Sequence, residues 1–228
     1  IRSCRRQIEL ADGGFTVSSI LRDQISVWNE KAKQFSVIQN GYEDDRFNMS
    51  TEPLGIKKQL GLNGKMAVFV GALGPWHGIE ELVQTAKKNP SINVIVAGGG
   101  YGENIPNVEN LYHIGRLNRD EVPRLLIEAD VGLAPYPNVD YGFSPLKIYE
   151  YMGCKLPVVA TLLPSVEEAT QGHALLVKPG QMPDAISKII DNNKLLNELA
   201  DSAFAYASKE RTWSVTIEKT ISLYEEIL

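Results

Sequence analysis

Short apolar runs alternate with helical stretches along the middle of this chain. Most of these runs have strand length and lack the polar alternation of a strand with one face in water, which is typical of strands buried on both faces. The predicted strands cover residues 66–71, 92–97, 111–114, 129–136, 157–161 and 174–177. Between them, residues 78–88 and 119–128 carry apolar side chains at the spacing of a helix with one buried stripe. This alternation predicts an α/β fold, with a parallel sheet covered by helices on both faces.

The two ends of the chain are predicted to be organised differently from the middle. Residues 1–45 are predicted as helix, strand, helix, strand, with strands at 15–18 and 35–39 and an amphipathic helix at 20–33. Four such pieces are too few to close a core, so we expect this segment to pack against structure outside it. Residues 43–53 are predicted as a polar linker that leads to a short helix at 54–60. The tail is predicted to be helical at 181–191, at 194–208 and in a last helix with the apolar stripe Ile217, Ile221, Tyr224 and Leu228.

Composition narrows the class of protein and partner. Of the 228 residues, 43% are hydrophobic and 22% are charged, which is ordinary for a soluble globular protein. The net charge of −5 and the lack of a basic face argue against a nucleic-acid partner. Cys4 and Cys154 fit no metal or redox spacing and suit a reducing compartment, so we expect a cytoplasmic protein. The three histidines are too dispersed to predict a metal site.

Targeting signals are not evident in the sequence. No apolar run approaches the roughly 20 residues that span a bilayer, and no signal peptide is recognisable. The chain starts with Ile1 and not with Met, so we interpret it as a piece of a longer protein.

Residues 141–154 form a loop and a short helix between two predicted strands. Ser144 is the expected cap of this helix, Pro145 suits its first position, and Gly153 is expected to end it. The free N–H groups and the dipole at the start of such a helix favour an anion. The sequence therefore predicts an anion site where this helix begins.

Lys147 and Glu150 share one face of the same predicted helix. Lysine and N–H groups suit phosphates, and a carboxylate suits a pair of neighbouring hydroxyls, so the face suits a ligand that carries both. A lysine and a glutamate at this spacing are equally typical of a solvated surface pair. Both interpretations stay open at this point.

Three loops rich in glycine or proline follow predicted strands, at 71–78, 98–102 and 135–145. The carboxyl ends of parallel strands meet at one edge of a sheet, where such sheets bind ligands. We therefore expect the three loops to converge on one site. The glycines at 98–100 are also compatible with a tight turn alone, and His77 with a loop histidine that binds no ligand.

Six motifs occur in an order that is specific when they are taken together. They are Gly71-Ala-Leu with His77-Gly-Ile-Glu80, Val96-Ala-Gly-Gly-Gly100, Asn110-Leu-Tyr-His-Ile-Gly115, Ala129-Asp-Val-Gly-Leu-Ala-Pro-Tyr136, Ser144-Pro-Leu-Lys-Ile-Tyr-Glu-Tyr-Met152 and Lys155-Leu-Pro-Val-Val-Ala-Thr161. Together they resemble the C-terminal half of a GT-B glycosyltransferase and are most similar to glycosyltransferase family 4. The resemblance covers residues 60–228.

The resemblance implies a Rossmann-like lobe that holds a nucleotide-sugar donor. Residues 1–45 would be the tail end of the N-terminal, acceptor-binding half with its linker strand, and residues 46–210 the donor-binding domain. Residues 211–228 would form a helix that crosses back to the N-terminal half. Lys147 and Glu150 are the candidate catalytic residues. The candidate donor-binding residues are Gly71, Ala72, Leu73, His77, Gly98, Gly99, Arg116, Leu117, Pro135, Tyr136, Phe143, Ser144, Pro145, Leu146, Lys147 and Glu150.

The same resemblance implies the reaction and the partners. The donor would be a co-substrate, with no separate cofactor and no metal. The sugar, a hexose, would pass with retention to a glycan or lipid-linked acceptor, as in polysaccharide biosynthesis. The missing N-terminal domain would complete the cleft, so this chain alone is expected to be inactive. Peripheral association of the full-length protein with the inner face of a membrane is a further expectation.

The sequence departs from the family pattern at several positions. Glu150 matches the second glutamate of the family's Glu-x7-Glu motif, an implied clamp on the donor ribose, but Gly142 replaces the first. The sequence resembles instead a subset with a Ser-Pro-x-Lys loop, whose N–H groups from Phe143 to Lys147 would face the phosphates or the sugar. Ala72 and His77 replace the usual basic pair, so Lys147 would carry more of the diphosphate charge, with His77 as a partial substitute. Residues 116–117 match the region that lines the nucleobase, and Gln39-Asn-Gly41 stands where Pro-Asn-Gly is usual.

Two other functions remain open at the level of sequence. One is a non-catalytic module that binds nucleotide sugars. The other is a nicotinamide-dependent oxidoreductase, because Gly98-Gly-Gly-Tyr-Gly102 follows a strand. The dinucleotide fingerprint fails at its sixth position, however, which is Glu103.

Overall fold

The computed structural model describes residues 2–74, 77–100, 105–138 and 141–228. The N-terminal segment, residues 2–42, contains two helices, one 3₁₀ helix and two strands. They are α1 (Arg2–Leu10), β1 (Phe15–Thr16), α2 (Ser19–Ser26), the 3₁₀ helix (Glu30–Gln34) and β2 (Ser36–Val37). The two strands pair in parallel and form a small sheet of their own.

The single helix predicted at 20–33 is wrong in its extent. It is divided into α2 and the 3₁₀ helix, and Asn29 lies between them in an extended conformation. The side-chain oxygen of Asn29 accepts the N–H of Lys31 at 3.0 Å, which starts the second piece. Asparagine favours such caps over helix interiors, so this local hydrogen bond outweighs the apolar spacing.

The main sheet has six strands, all parallel, in the order β5-β4-β3-β6-β7-β8. The strands are β3 (Met66–Val70), β4 (Asn93–Ala97), β5 (Leu111–His113), β6 (Val131–Ala134), β7 (Val158–Thr161) and β8 (Leu175–Val177). The order reverses between β3 and β6, because successive strands are added outward from β3 on one side and from β6 on the other. A crevice for a ligand is expected beyond the carboxyl ends of these two strands.

Helices cover both faces of the main sheet. They are α3 (Ile56–Gln59), α4 (Ile79–Lys88), α5 (Glu121–Leu126), α6 (Leu146–Gly153), α7 (Pro164–Thr170), α8 (Met182–Ile189), α9 (Asn193–Glu210) and α10 (Trp213–Ile227). Alternate residues of β3 enter two apolar cores: Met66 and Val68 pack with α6, while Ala67 and Phe69 pack with α4 and α8. The predicted fold class, a Rossmann-like parallel sheet with helices on both faces, is confirmed.

The spacing of apolar residues did not predict α7. This helix has seven residues and starts with Pro164. Its buried apolar residues, Val166 and Ala169, occupy less than one full repeat of a helical stripe. The stretch is therefore too short for spacing to distinguish it from a loop.

The last helix contacts the N-terminal segment, and the two chain connections between that segment and the main sheet run side by side. Tyr42 pairs with Thr212 as an isolated parallel bridge, and the Thr216 hydroxyl donates to the carbonyl of Gln39 at 3.0 Å. The predicted apolar stripe of α10, defined above, is exposed. Within the described ranges, no helix combines the length and apolar character needed to cross a membrane.

Candidate functional site

Two adjoining cavities lie at the carboxyl edge of β3. The first has a volume of about 310 Å³ and is lined by Val70, Gly71, Ala72, Ala97, Gly98, Gly99, Arg116, Leu117 and Val122. The second has a volume of about 250 Å³ and is lined by Gly41, Tyr42, Glu43, Phe47, Val70, Arg119, Val122, Leu146, Glu150 and Trp213. Val70 and Val122 line both, so the two cavities form one cleft. Eight of the predicted donor-binding residues line this cleft: Gly71, Ala72, Gly98, Gly99, Arg116, Leu117, Leu146 and Glu150.

Two glycine loops form the floor of the first cavity and are packed backbone against backbone. A Cβ atom at position 98 would lie 1.7 Å from the carbonyl oxygen of Gly71, so only glycine fits there. A Cβ atom at position 99 would lie 2.7 Å from Nε of Arg116, whose side chain crosses over that glycine. The glycine run therefore does more than make a tight turn, since it lets backbone and Arg116 approach each other at the cavity floor.

Lys147 is a cation with an unusual environment. Its side chain is half-buried, but its Nζ atom is buried and has no hydrogen-bond partner among the described residues. Nζ lies 4.1 Å from the ring centroid of Phe69 and 5.6 Å from that of Tyr136. It also faces Gly71, where a Cβ atom would approach it to 2.7 Å. Burial lowers the pKa of Lys147 to about 7, although the carboxylate of Glu150 opposes this shift.

Glu150 lies one helical turn beyond Lys147 and lines the second cavity. Burial raises the pKa of Glu150, while the charge of Lys147 lowers it. No ion pair joins Lys147 to Glu150 within the described part of the chain. The two side chains are therefore not a solvated surface pair: each is at most half-exposed, Glu150 lines the second cavity, and Nζ of Lys147 faces Gly71 at the edge of the first.

The start of α6 differs from the predicted cap. Pro145 is the residue before the helix, and the side-chain hydroxyl of Ser144 accepts no N–H group of the helix. The Ser144 hydroxyl instead accepts the N–H of Asn40 at 3.2 Å. The prediction that Ser144 caps the helix is wrong, because a long-range partner takes the place of the local one. Gly153, as predicted, is the last residue of the helix.

The expectation that all N–H groups from residue 143 to residue 147 face a ligand is also wrong in part. The N–H of Phe143 donates to the hydroxyl of Ser165 at 3.3 Å, and that of Leu146 donates to the carbonyl of Ser144 at 3.1 Å. Pro145 has no N–H group. The N–H groups of Ser144 and Lys147 remain as the candidates at this helix start.

Gly142 is buried against the N-terminal segment. A Cβ atom at this position would lie 2.2 Å from the backbone nitrogen of Leu21 and 2.6 Å from Oγ of Ser18. The N–H of Gly142 donates to Oε1 of Gln24 at 3.0 Å. A glutamate side chain cannot occupy this position without moving α2 or the loop. The packing around Gly142 therefore excludes the first glutamate of the motif.

The remaining predicted residues surround the cleft without lining either cavity. Burial lowers the pKa of His77 to about 4, with the charge of Lys147 as a second cause. Leu73 belongs to the core, and only its N–H is directed toward the loop, where it donates to the carbonyl of Gly99 at 3.3 Å. The rings of Tyr136 and Phe143 contact each other with centroids 5.2 Å apart. Pro135 packs against Gly78, at the start of α4.

Sequence reasoning missed part of the second cavity. Glu43, Arg119 and Trp213 line it, and Glu43 forms an ion pair with Arg119. Glu43 lies in the linker, Arg119 lies two residues before α5, and Trp213 is the first residue of α10. No sequence pattern predicts that these three segments meet. The one local signal is the turn Asn40-Gly41, which ends the N-terminal segment just before Glu43. Among the described residues, no three histidine, cysteine or acidic side chains cluster as a metal site requires.

Comparison with known proteins identifies the relatives of this chain. The sequence profile of the family described as Glycosyl transferases group 1 matches residues 64–192. A teichuronic acid biosynthesis glycosyltransferase of Bacillus subtilis, TuaH, is 23% identical over 175 residues, which cover 73% of this chain and 44% of that protein. D-inositol 3-phosphate glycosyltransferase of Mycolicibacterium smegmatis is 21% identical over 228 residues, which cover 90% of this chain and 50% of that protein.

Solved structures agree on the fold. HepE from Anabaena, crystallised in complex with UDP-glucose, superposes with a TM-score of 0.83 at 19% identity, covering 99% of this chain and 68% of that one. Sucrose-phosphate synthase from Thermosynechococcus elongatus gives a TM-score of 0.79 at 19% identity, covering 98% and 60%. At these identities the likeness establishes the fold alone. The chain spans half or less of the length of the curated relatives it matches.

Proposed function

The chain belongs to the group 1 glycosyl transferases, and from this premise we propose that it is the donor-binding lobe of a glycosyltransferase that uses a nucleotide sugar. The HepE structures, solved with UDP-glucose and with UDP, support a donor of this chemical class. In this lobe the donor occupies the cleft at the carboxyl edge of β3, and it is a co-substrate that requires no separate cofactor.

One observation carries the proposal: the buried Nζ atom of Lys147. A buried cation without a hydrogen-bond partner is costly unless a ligand supplies the missing acceptors. The donor diphosphate supplies them, and it also meets the start of α6, where N–H groups and the helix dipole favour negative charge. The rings of Phe69 and Tyr136 contact Nζ and help to fix its position in the unliganded chain.

Glu150 and the first cavity fit the nucleoside part of the donor. A half-buried carboxylate one helical turn from the diphosphate site accepts hydrogen bonds from the two ribose hydroxyls. The first cavity, between the glycine loops and Arg116, has room for the base. The lining residues shared by the two cavities give a continuous path from ribose to base.

The catalytic role follows from where charge develops. When the bond between the sugar and the diphosphate oxygen breaks, negative charge grows on the diphosphate, and Lys147 with the α6 N–H groups stabilises it most in the transition state. We assign retention of configuration, as in family 4, to the whole enzyme. The acceptor, a glycan or lipid-linked sugar, meets the donor only when the N-terminal domain completes the cleft, so this chain alone is expected to show no turnover.

The full-length protein is proposed to act in the cytoplasm, with peripheral attachment to the inner face of a membrane when the acceptor is lipid-linked. The relative TuaH is named for teichuronic acid biosynthesis, which supports an acceptor of the polysaccharide class.

A second function is favoured by one observation at Gly142. The packing of this glycine excludes the first carboxylate of the family motif. A chain that binds nucleotide sugars without transferring the sugar is therefore the competing proposal. Turnover of a nucleotide sugar by the full-length protein, with none by this chain, supports the enzyme; absence of turnover by both supports the binding module.

The proposal is tested by titrating this chain with UDP, GDP, ADP and NAD in a calorimeter. Binding of at least one nucleoside diphosphate, with none of NAD, is the expected result. Binding of NAD alone would overturn the proposal in favour of an oxidoreductase.

Substitution of Glu150 tests the ribose contact. Glu150→Ala removes hydrogen bonds to a charged acceptor and should weaken nucleoside diphosphate binding by about 2–3 kcal/mol, or roughly 30- to 150-fold. Glu150→Gln keeps one acceptor and should lose less. Glu198→Ala, an exposed helical glutamate of α9, is the matched control and should bind like the parent chain. Unchanged affinity in Glu150→Ala would remove this residue from the site.

A further inference from the structure

The helix that carries Lys147 and Glu150 is hydrogen-bonded to residues 39–42, the end of the N-terminal segment, where the linker to the main sheet begins. The hydroxyl of Tyr149, on α6, donates to Oε1 of Gln39 at 2.9 Å. Ser144, just before α6, accepts the N–H of Asn40 at 3.2 Å, and its hydroxyl lies 3.4 Å from that of Tyr149. Two consecutive residues of this stretch are thus bonded to the first half of the helix.

Gln39 also contacts the last helix. Its carbonyl oxygen accepts the hydroxyl of Thr216, on α10, at 3.0 Å. Gln39 therefore bonds to two helices. Its backbone carbonyl accepts a hydrogen bond from α10, and its side chain accepts one from α6, the helix of the donor site. The hydrogen-bonded path from Tyr149 on α6 to Thr216 on α10 thus passes through the single residue Gln39.

The other end of α6 is in contact with the same stretch. The ring of Tyr42 lies directly on Gly153, where a Cβ atom would approach it to 2.2 Å. The backbone of Tyr42 in turn donates to the carbonyl of Arg211 at 2.8 Å and accepts the N–H of Trp213 at 3.1 Å. This second contact is a packing contact at the helix end, whereas the Tyr149–Gln39 contact is a single polar bond.

The Tyr149 hydroxyl is suited to donate its hydrogen bond throughout the neutral pH range. The side chain is fully buried, and burial raises the pKa of Tyr149, so the hydroxyl stays protonated at neutral pH. Gln39 offers its amide oxygen as the acceptor and is half-buried. The bond is therefore sheltered from competing water, which makes it effective as a mechanical link.

We propose that Gln39 is a positioning residue that couples occupancy of the donor site on α6, through Tyr149, to residues 39–42 and to the start of α10. This inference rests on the proposed function, because it assigns a diphosphate to Lys147 and the start of α6. Binding of the diphosphate draws the first turn of α6 toward the ligand, and the Tyr149–Gln39 bond transfers that shift to the connections with the N-terminal segment. The N-terminal half of the enzyme would thereby sense whether the donor is bound.

The test is hydrogen–deuterium exchange of this chain with and without the nucleoside diphosphate that binds it best. In the parent chain, the ligand should slow exchange at residues 36–42 and 213–220 as well as at α6. Gln39→Met and Tyr149→Phe remove the acceptor and the donor, and each should abolish the ligand effect at 36–42 and 213–220 while affinity stays within about threefold. Gln39→Glu keeps the acceptor and should restore the ligand effect.

Tyr206→Phe is the matched control, since it removes a buried tyrosine hydroxyl that donates to the carbonyl of Ala169 at 2.8 Å and not to Gln39. It should leave the ligand effect intact. If the diphosphate binds and still protects 36–42 and 213–220 in both Gln39→Met and Tyr149→Phe, the coupling is overturned and the proposed function stands. If no nucleoside diphosphate binds the parent chain, the proposed function is overturned, and the coupling with it.

Discussion

At the scale of single residues, Lys147 shows how a buried cation lowers the stability of the fold that contains it. Its pKa is about 7 in the folded chain and near 10.5 when unfolded, because burial disfavours the charged form. The unfolded state therefore binds the proton more tightly, so the contribution of this group to stability rises with pH between about 7 and 10.5 and is least favourable below pH 7.

Replacement of Lys147 by methionine should therefore stabilise the chain while it abolishes binding. Lys147→Met removes a buried ammonium group that has no hydrogen-bond partner among the described residues, and fills its place with an apolar side chain of similar length. We expect a gain of roughly 1–3 kcal/mol in the free energy of unfolding at pH 6, measured by urea denaturation, and a smaller gain at pH 9. Lys188→Met, on the exposed face of α8, is the control. Loss of stability at pH 6 would show that the lysine is already satisfied in the unliganded chain.

The same pKa makes nucleoside diphosphate binding depend on pH. Above pH 7 the phosphate groups of the ligand are fully ionised, so the charge that changes in this range is that of Lys147. Because the unliganded lysine loses its proton above pH 7, it must take up a proton when the diphosphate binds. Affinity should fall as pH rises from 7 to 9. Calorimetry in two buffers of different ionisation enthalpy should show proton uptake on binding at pH 8. His77, with a pKa of about 4, stays neutral across this range and does not contribute. An affinity that is flat from pH 7 to 9 would contradict this role of Lys147.

Some features of the candidate site could be predicted from the sequence, and others could not. The spacing of Lys147 and Glu150 placed both on one helical face, and the cleft contains the predicted Gly98, Gly99 and Arg116. The bond that Ser144 makes and the packing of Gly142 could not be predicted, because each depends on a residue more than a hundred positions away. Local patterns carry no information about such partners.

At the scale of elements, the apolar runs predicted every strand of the main sheet. The four central strands are buried and leave a continuous apolar signal, whereas the edge strands β5 and β8 are only partly buried and still read as short apolar runs. The contacts between the helices and the sheet, by contrast, were not predicted from the apolar runs. Tyr151, on α6, lies over Gly132 of β6, where a Cβ atom would approach its ring to 2.5 Å. Its hydroxyl accepts the N–H of Val70, at the end of β3, at 2.8 Å. This bond fixes α6 relative to the strand end that forms the floor of both cavities.

Removal of this hydroxyl should loosen the donor helix. Tyr151→Phe leaves the part-buried N–H of Val70 without this acceptor, which costs roughly 1–3 kcal/mol in the free energy of unfolding. Urea denaturation should show this loss, and nucleoside diphosphate affinity should fall as well, since the position of α6 becomes less defined. Tyr224→Phe, on the exposed face of α10, should change neither quantity. Equal stability of the two variants would mean that the Val70 N–H finds another acceptor.

At the scale of the whole molecule, the N-terminal segment is joined to the donor lobe by contacts that no local pattern predicts. The carboxylate of Glu168, on α7, accepts the N–H of Ser19 through both oxygens at 3.0 Å, at the start of α2. A carboxylate at a helix start also interacts favourably with the helix dipole. Close by, Gly142 packs against α2, so the loop before the donor helix and the N-terminal segment share one interface.

Loss of the Glu168 contact should release the N-terminal segment without unfolding the main sheet. Hydrogen bonds to a charged group contribute about 1.5 kcal/mol or more, so Glu168→Ala should speed hydrogen exchange in residues 19–26 roughly tenfold. Exchange in the strands β3 and β4 should not change, because their bonds lie within the sheet. Glu167→Ala alters the neighbouring, exposed glutamate of the same helix and is the matched control. If Glu168→Ala accelerates exchange in the strands as much as in α2, the segment and the lobe unfold as one unit. The interface would then be part of the core, and not a joint between two halves of a larger enzyme.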